Sequence, residues 1–266
     1  MTTLAELARA VLAEPDPPSK ARRAAAMARR WRTAPDLKPG NPSAPDRPAR
    51  PAQPDLRPPR DMPKRGRGIS LENRIALLHA LAHIELNAVD LACDLIARFA
   101  TPALPREFYD DWVSVAEEEA LHFDLLSGRL TDLGSFYGAL PAHDGLWEAA
   151  ENNAHNLMAR LAVVPMVLEA RGLDVTPAMI ASMKKAQDAE TVAILERIYQ
   201  DEIGHVAIGR RWFEHLCEKR GLIAEDAWRE LVRENFAGLL KPPFNHEARE
   251  AAGFLNREYE TLDQSG

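Results

Sequence analysis

Two short segments of this 266-residue sequence place a glutamate three residues before a histidine. They are Glu119-Ala-Leu-His122 and Glu202-Ile-Gly-His205. Side chains three residues apart lie on one face of a helix, so each pair can offer a carboxylate and an imidazole to one metal ion. By itself the pattern is a weak signal, because glutamate is abundant in this chain.

The surroundings of these pairs strengthen the interpretation, because each pair interrupts an apolar helical stripe. The flanking residues are Trp112, Val115, Ala116, Phe123 and Leu126 for the first pair, and Leu195, Ile198, Val206 and Phe213 for the second. Glu85 and Glu169 interrupt two further apolar stripes. A charge in an apolar interior requires compensation, so the pattern indicates four helices that each direct acid toward the core.

The spacing of the four glutamates suggests a repeated arrangement. Glu85 precedes Glu119 by 34 residues, and Glu169 precedes Glu202 by 33. In an antiparallel hairpin, Glu85 and Glu119 would both lie about 20 Å from the turn and therefore level with each other. The second half is less regular, because a break expected between Gly172 and Thr176 must absorb a difference in register.

Together these side chains form the ligand set of a di-metal carboxylate bundle, in which two helices give one glutamate each and two give Glu-x-x-His. The predicted ligands are Glu85, Glu119, His122, Glu169, Glu202 and His205. We expect Glu119 and Glu202 to bridge the ions. Four carboxylates balance two divalent ions, so two iron ions are predicted, with manganese or a mixed manganese and iron pair as the alternative. Zinc usually recruits more nitrogen or sulfur.

Two neighbouring residues are candidates for supporting this site. Asp201 could accept a hydrogen bond from the second ring nitrogen of a ligand histidine. Tyr199, one turn before Glu202, is either a redox-active tyrosine or, as we favour, a core tyrosine with a satisfied hydroxyl. The alternative without metal pairs the buried acids with arginines such as Arg160, Arg171 or Arg210, but it needs about four desolvated cations.

Helical periodicity extends through nearly all of the sequence after Ser70 and predicts an all-α fold. The expected helices are 71–99, 106–130, 144–172 with a kink at Pro165, a short helix after Thr176-Pro177, 189–219 closed by Gly221, and 225–240. The connection at 131–143 is long enough to cross a bundle. We therefore predict a ferritin-like four-helix bundle with one long crossover and an extra C-terminal helix, at residues 69–266.

Residues 1–68 differ in composition from the rest and are predicted to form a basic, proline-rich N-terminal arm. Their net charge is +8, against −15 for the remainder, and 13 of the 20 prolines lie between Pro15 and Pro63. Short helices are expected at 2–14 and 19–32, followed by extended chain. Such an arm could bind nucleic acid, but wrapping around the acidic body is the favoured interpretation.

His79, His83 and Asp90 form a second polar stripe on the first long helix, on the side away from Glu85. Packing against the arm, or hydrogen bonds between helices, is expected here rather than a second metal site, because one helix supplies too few ligands.

Several segments resemble those of an uncharacterised bacterial family of ferritin-like proteins. They are HALAHIELNAVDLA (79–92), EEEALHFDLL (117–126), VPMVLEARGLD (164–174), DEIGHVAIGRRWF (201–213) and, in the arm, RPARPAQPDLRPPRDMPKR (47–65). The resemblance implies the ferritin-like fold and a di-metal site at the six predicted ligands. It implies no particular reaction and identifies no catalytic residue.

The leading functional hypothesis is an oxygen-activating oxidoreductase, an oxygenase or oxidase that uses dioxygen or peroxide on an unknown small molecule. A modified base in tRNA is one possible substrate, because the distantly related tRNA isopentenyl-adenosine hydroxylases are ferritin-like and the arm is basic. The alternatives are iron or manganese handling, including peroxide detoxification, and a metal-free helical interaction module.

The two cysteines cannot form a disulfide framework, and a cytoplasmic location is expected. No apolar run is expected to be long enough to span a membrane, and no membrane partner is predicted. A homodimer is one assembly compatible with catalysis.

Overall fold

The computed structural model describes residues 2–63, 69–238 and 240–263. Among the described residues the regular secondary structure is helical, apart from an isolated β-bridge between Leu56 and Ala142, which confirms the all-α prediction. The helices are α1 (Leu4–Leu12), α2 (Pro17–Thr33), α3 (Leu71–Arg98), α4 (Arg106–Asp132), α5 (Gly145–Glu151), α6 (Leu157–Val163), α7 (Ala170–Lys185), α8 (Ala189–Arg220), α9 (Ala224–Asn235), α10 (His246–Ala251) and α11 (Asn256–Asp263). A π-helical segment, Val164–Glu169, joins α6 to α7, and Pro59–Asp61 forms a 3₁₀ turn.

By its internal contacts the chain forms two compact units, Met1–Trp147 and Glu148–Gly266. In the first unit α3 and α4 form an antiparallel hairpin, and α1 and α2 pack against it. In the second unit α7 packs along α8, and α9 packs on α6. The arm therefore belongs to the same compact unit as α3 and α4. The predicted boundary between the arm and a bundle domain at residue 68 was drawn from composition and stays a prediction.

The ends of the long helices follow local chemistry that the sequence displays. Ser70 accepts a hydrogen bond from the Asn73 N–H at the start of α3, and Asp188 does the same for Thr191 in α8. Gly221 adopts a left-handed conformation, with φ 65°, and ends α8 as predicted. The predicted starts and ends of α3, α4 and α8 lie within two residues of those observed.

The third predicted helix, from Asp144 to Gly172, starts where expected, because α5 begins at Gly145, but it is interrupted and does not end at Gly172. Residues 152–156 interrupt it after α5, and Asn156 caps α6 by accepting from the Met158 and Ala159 N–H groups. Asparagine side chains here bond to the local backbone instead of leaving it to the helix. At the other end the chain stays helical through Gly172, and Pro177 lies inside α7 instead of starting a separate helix.

The distortion predicted at Pro165 takes the form of the π-helical segment. Proline has no N–H to donate within a helix, and the Ala170 N–H donates to the Pro165 carbonyl across five residues. The last predicted helix is also shorter than expected, because α9 ends at Asn235 and not at Leu240.

In the arm, α1 and α2 occupy most of the predicted helical stretches, and residues 34–58 run without a helix, as expected. The favoured wrapping interpretation is confirmed, because cationic arm side chains pair with acids on the hairpin. The Lys20 ammonium lies 2.5 Å from Asp90, Arg50 lies 2.6 Å from the same carboxylate, and Arg32 pairs with Glu117.

Within the described ranges, α3 is the one helix long and apolar enough to cross a membrane by length and composition. The expectation that no stretch would reach this length is corrected by α3. Of its most apolar 18-residue window, 67% is buried inside the structure. Buried core helices of soluble proteins meet the same criterion, so one such helix is weak evidence for a membrane span.

Candidate metal centre

The first half of the candidate site lies inside the α3–α4 hairpin. Glu85 comes from the middle of α3, and Glu119 and His122 share one face of α4. Their side chains are buried, with relative exposures of 4%, 1% and 0%. The antiparallel pairing of α3 and α4 sets Glu85 level with Glu119, as their equal distances from the connecting turn predict.

The three side chains converge on one point. The Nδ1 atom of His122 lies 3.3 Å from Oε2 of Glu85 and 3.4 Å from Oε2 of Glu119. Each offers a ligand atom, and these atoms lie within 4.8 Å of one another. A buried group of two carboxylates and one imidazole with this geometry could hold a metal ion.

Burial and the close approach of two carboxylates shift the pKa values in this cluster. Burial, and then the neighbouring Glu119 carboxylate, raise the pKa of Glu85 well above its usual value. Burial of the His122 ring opposes its protonation, but Glu119 and Glu85 outweigh that effect and raise its pKa to about 11. The cluster therefore favours a positive charge at the point where the three groups meet.

The second half of the predicted ligand set lies in the second unit. On α8, Nδ1 of His205 lies 3.5 Å from Oε1 of Glu202. His205 is buried, and the Glu202 side chain is 12% exposed. The same ring nitrogen thus faces the glutamate three residues earlier in both Glu-x-x-His pairs, which agrees with the repeat seen in the sequence.

Glu169 occupies a special backbone position, since it is the last residue of the π-helical segment. π-Helical turns within α-helices are rare and occur frequently at functional sites. Close packing supports the segment, because a Cβ atom added at Gly209 of α8 would lie 2.4 Å from the Pro165 ring. Only glycine allows α8 and the π-helical segment to approach this closely. Glu169 itself is half-buried.

Comparison with known proteins places this chain in a family. A family model described as "Protein of unknown function (DUF455)" matches residues 13–260. The chain belongs to this family. A relative from Haemophilus influenzae, described as "Uncharacterized protein", is 43% identical over 214 residues, which cover 79% of this chain and 74% of the relative. No solved structure matches the chain.

The DUF455 match begins in the arm and continues into α11, so all six predicted ligands lie within it. The expected resemblance to an uncharacterised bacterial family is thereby confirmed at the level of the family. Neither the family description nor the description of the relative states an activity.

Two predicted supporting residues of this DUF455 chain have partners of their own. The Tyr199 hydroxyl accepts a hydrogen bond from the Asn245 side chain at 2.7 Å, and the tyrosine is half-buried. Arg197 donates to Asp201 at 2.5 Å, one turn away on α8. These contacts leave the proposed role of Asp201 toward a ligand histidine as a prediction.

The arginines named in the metal-free alternative also have partners other than the predicted ligands. Arg210 forms a bidentate pair with Glu258, Arg171 donates to the carbonyl groups of Lys241 and Pro243, and Arg160 donates to the Ala150 carbonyl. Arg171 and Arg210 thus contact C-terminal residues, and Arg160 contacts α5.

The polar stripe on the far side of α3 is structural, as expected. Nε2 of His79 accepts the Gly138 N–H at 2.9 Å, and His83 contacts the Tyr137 hydroxyl and the His143 carbonyl. Asp90 pairs with the arm. The sequence predicted the contact with the arm but missed Tyr137, whose ring stacks on both histidines. Tyr137 lies in the loop after α4, where no regular spacing relates it to the stripe.

Proposed function

We propose that this protein is a di-metal carboxylate oxidoreductase with a ferritin-like bundle. The observation that carries the proposal is the convergence of Glu85, Glu119 and His122 in a buried interior. We further propose that Glu169, Glu202 and His205 complete the six-ligand set, since the second Glu-x-x-His pair has the same internal geometry as the first.

The residues fit a metal better than they fit an ordinary salt bridge. Glu85 and Glu119 are buried side by side, and each carboxylate taken out of water costs several kcal/mol unless a cation compensates it. Carboxylates with imidazole suit iron and manganese, whereas magnesium and calcium prefer oxygen ligands alone. We therefore propose two iron ions, with manganese or a mixed pair as the alternative.

A pair of ferrous ions supplies two electrons to dioxygen or peroxide, which is the chemistry expected of a cofactor of this type. The protein side chains would hold and orient the ions and keep water away. Ala116, Ala120 and Phe123 lie on the same stretch of α4 as the ligands and are at most 2% exposed. The substrate we propose is an organic molecule of unidentified structure, with a modified tRNA base as one candidate.

The first experiment measures metal content. Protein produced in rich medium and analysed by mass spectrometry of its metals should contain about two iron or manganese ions per chain. Glu119→Gln keeps the side-chain volume but removes a bridging charge, and it should lose most of that metal. The matched control is Glu118→Gln, the adjacent half-buried residue, which accepts a hydrogen bond from Ser114 and should keep normal metal content.

Iron and manganese content near zero in the wild-type chain would overturn the proposal, as would equal content in wild type and Glu119→Gln. A second measurement tests the oxidoreductase assignment. Anaerobic ferrous loading followed by oxygen should give the absorption of a coupled ferric pair and oxidise a metabolite in cell extract. Assembly into a 24-subunit shell with no such oxidation would instead favour iron storage.

A further inference from the structure

Helix α2 carries charge on two opposite sides. Its inward side is apolar except for Lys20, and the buried positions are Pro17, Lys20, Ala21, Ala24, Met27, Ala28 and Trp31. Its outward side carries the exposed arginines Arg22, Arg23, Arg29, Arg30 and Arg32, and the helix contains no acidic residue. Lys20 pairs with Asp90 of the hairpin, and the outward arginines need a separate explanation.

Only some of these arginines are matched by acids of the protein. Arg23 pairs with Glu14 at 2.8 Å, and Arg32 pairs with Glu117 at 2.5 Å. Arg22 donates to the Ser19 hydroxyl, and its charge favours the ionised forms of the nearby Asp16 and Asp124 carboxyl groups without an ion pair to either. Among the residues that the structure describes, no carboxylate forms an ion pair with Arg29 or Arg30.

We call Arg22, Arg29 and Arg30 the arginine strip. Arg22 and Arg29 are two helical turns apart, so their backbones are separated by about 10.5 Å along the axis. Arg30 follows Arg29 and widens the strip around the helix. About three nucleotides of one nucleic-acid strand span a similar length.

The strip is held in a fixed position. Trp31, on the same helix, is buried and donates from Nε1 to Asp110 at 2.6 Å. The Arg106 guanidinium stacks on the Trp31 ring at 3.9 Å. The arginines therefore extend from a helix that is packed on α4 and not from a flexible tail.

We propose that the arginine strip binds the phosphate backbone of a nucleic acid. The planar guanidinium group matches the geometry of phosphate and can bind it through two parallel hydrogen bonds. Residues 69–266 carry a net charge of −15, so the acidic body would repel a polyanion elsewhere and confine it to the arm. The strip offers no aromatic platform for stacking bases, so this binding should be independent of sequence.

The structure favours a nucleic acid over a lipid surface. A basic helix that lies on a membrane must insert an apolar face between the lipids. The apolar face of α2 is already buried, with Ala24, Ala28 and Trp31 at most 1% exposed. This inference does not rest on the proposed metal chemistry, and metal-free full-length protein can test it.

The test is fluorescence anisotropy with three labelled probes: a 20-nucleotide single-stranded RNA, an RNA hairpin and a 20-base-pair DNA duplex, at 50 to 200 mM NaCl. The triple variant Arg22→Gln, Arg29→Gln, Arg30→Gln should weaken binding at least tenfold. The slope of log affinity against log salt is negative, and the variant should make it less steep by about 2 for the single strand. Each of the three lost phosphate contacts contributes about 0.7 to this steepness.

The matched control removes three exposed cations from the second unit, as Lys185→Gln, Lys219→Gln and Arg220→Gln. It should change affinity less than threefold, and circular dichroism should show that both variants are folded. Preference for RNA or for DNA would identify the source of the phosphate backbone. The proposal is overturned if no probe binds at 50 mM salt, if the control loses as much affinity as the strip variant, or if anionic phospholipid vesicles bind through the same arginines as tightly as the nucleic acids do.

Discussion

Two carboxylates side by side in a dry interior raise the free energy of a folded protein unless a cation neutralises them. Glu85 and Glu119 have this arrangement, and the His122 ring lies at hydrogen-bonding distance from both. Asp94, about two and a half turns further along α3, shows the ordinary solution, because Arg98 neutralises it with several hydrogen bonds. Glu85 and Asp94 are thus two buried acids on one helix with different partners, and a metal-binding role for Glu85 explains the difference.

This contrast predicts opposite effects of removing the two charges. Glu85→Gln keeps the shape of the side chain and removes a carboxyl group whose pKa is raised by burial and by Glu119. The free energy of unfolding of metal-free protein should therefore rise by about 1 kcal/mol at a pH above the ordinary pKa of glutamate. Metal should then stabilise the variant much less than it stabilises the wild type, because one ligand is lost. Urea unfolding at pH 7, with and without ferrous ion under argon, measures both effects.

Asp94→Asn is the matched control for Glu85→Gln. It removes a buried charge that already has a partner, so it should destabilise the metal-free protein by about 2 kcal/mol and leave stabilisation by metal unchanged. A loss of stability in Glu85→Gln as large as that in Asp94→Asn would mean that Glu85 belongs to an ordinary ion pair.

At the scale of the helices, the parts predictable from sequence are those with a local cause. Ser70, Asp188 and Gly221 mark helix ends because their own backbone and side-chain chemistry caps a helix. The continuation of α7 through Gly172 and Pro177 could not be predicted, because both are helix-breaking signals that tertiary packing overrides here. The sequence likewise predicted a distortion at Pro165, but not its π-helical form or its close packing against Gly209 of α8.

The contact between Pro165 and Gly209 predicts how sensitive the π-helical segment is to crowding. The Cβ atom of Gly209→Ala would lie 2.4 Å from the proline ring, which is bonded to the backbone and cannot rotate away. The variant should lose about 1 to 3 kcal/mol of unfolding free energy, as is typical of overpacked interiors. Because Glu169 ends the segment, metal content should fall as well.

Gly204, on the same helix, provides the comparison for Gly209→Ala. Nothing lies within 4 Å of a Cβ atom added there, so Gly204→Ala should raise the unfolding free energy by about 0.4 to 1 kcal/mol through a less flexible unfolded chain. Equal effects of the two substitutions, measured by urea unfolding, would show that helix propensity and not close packing governs this region.

At the scale of the whole molecule, the opposite charges of the arm and the remainder indicate that the arm is part of the folded structure. The sequence predicted that the arm would wrap the acidic body, but it could not predict which acid each cation would meet. That choice depends on how α2 and residues 34–58 pack on the hairpin, which no local pattern encodes. The structure places Lys20 and Arg50 on the fully buried Asp90.

The Lys20–Asp90 pair predicts how much the arm contributes to stability. Burial lowers the pKa of Lys20 and raises that of Asp90, and in each case the partner opposes the shift. Lys20→Met keeps most of the apolar stem but leaves Asp90 to Arg50 alone, so it should lower the free energy of unfolding by about 3 kcal/mol. Arg23→Met breaks the exposed pair with Glu14 on the same helix and should change it by less than about 1 kcal/mol. A cation that neutralises a buried acid on α3 cannot be removed without loss of stability. If urea unfolding gave equally small changes in unfolding free energy for Lys20→Met and Arg23→Met, the arm would therefore contribute little to the stability of the rest of the protein.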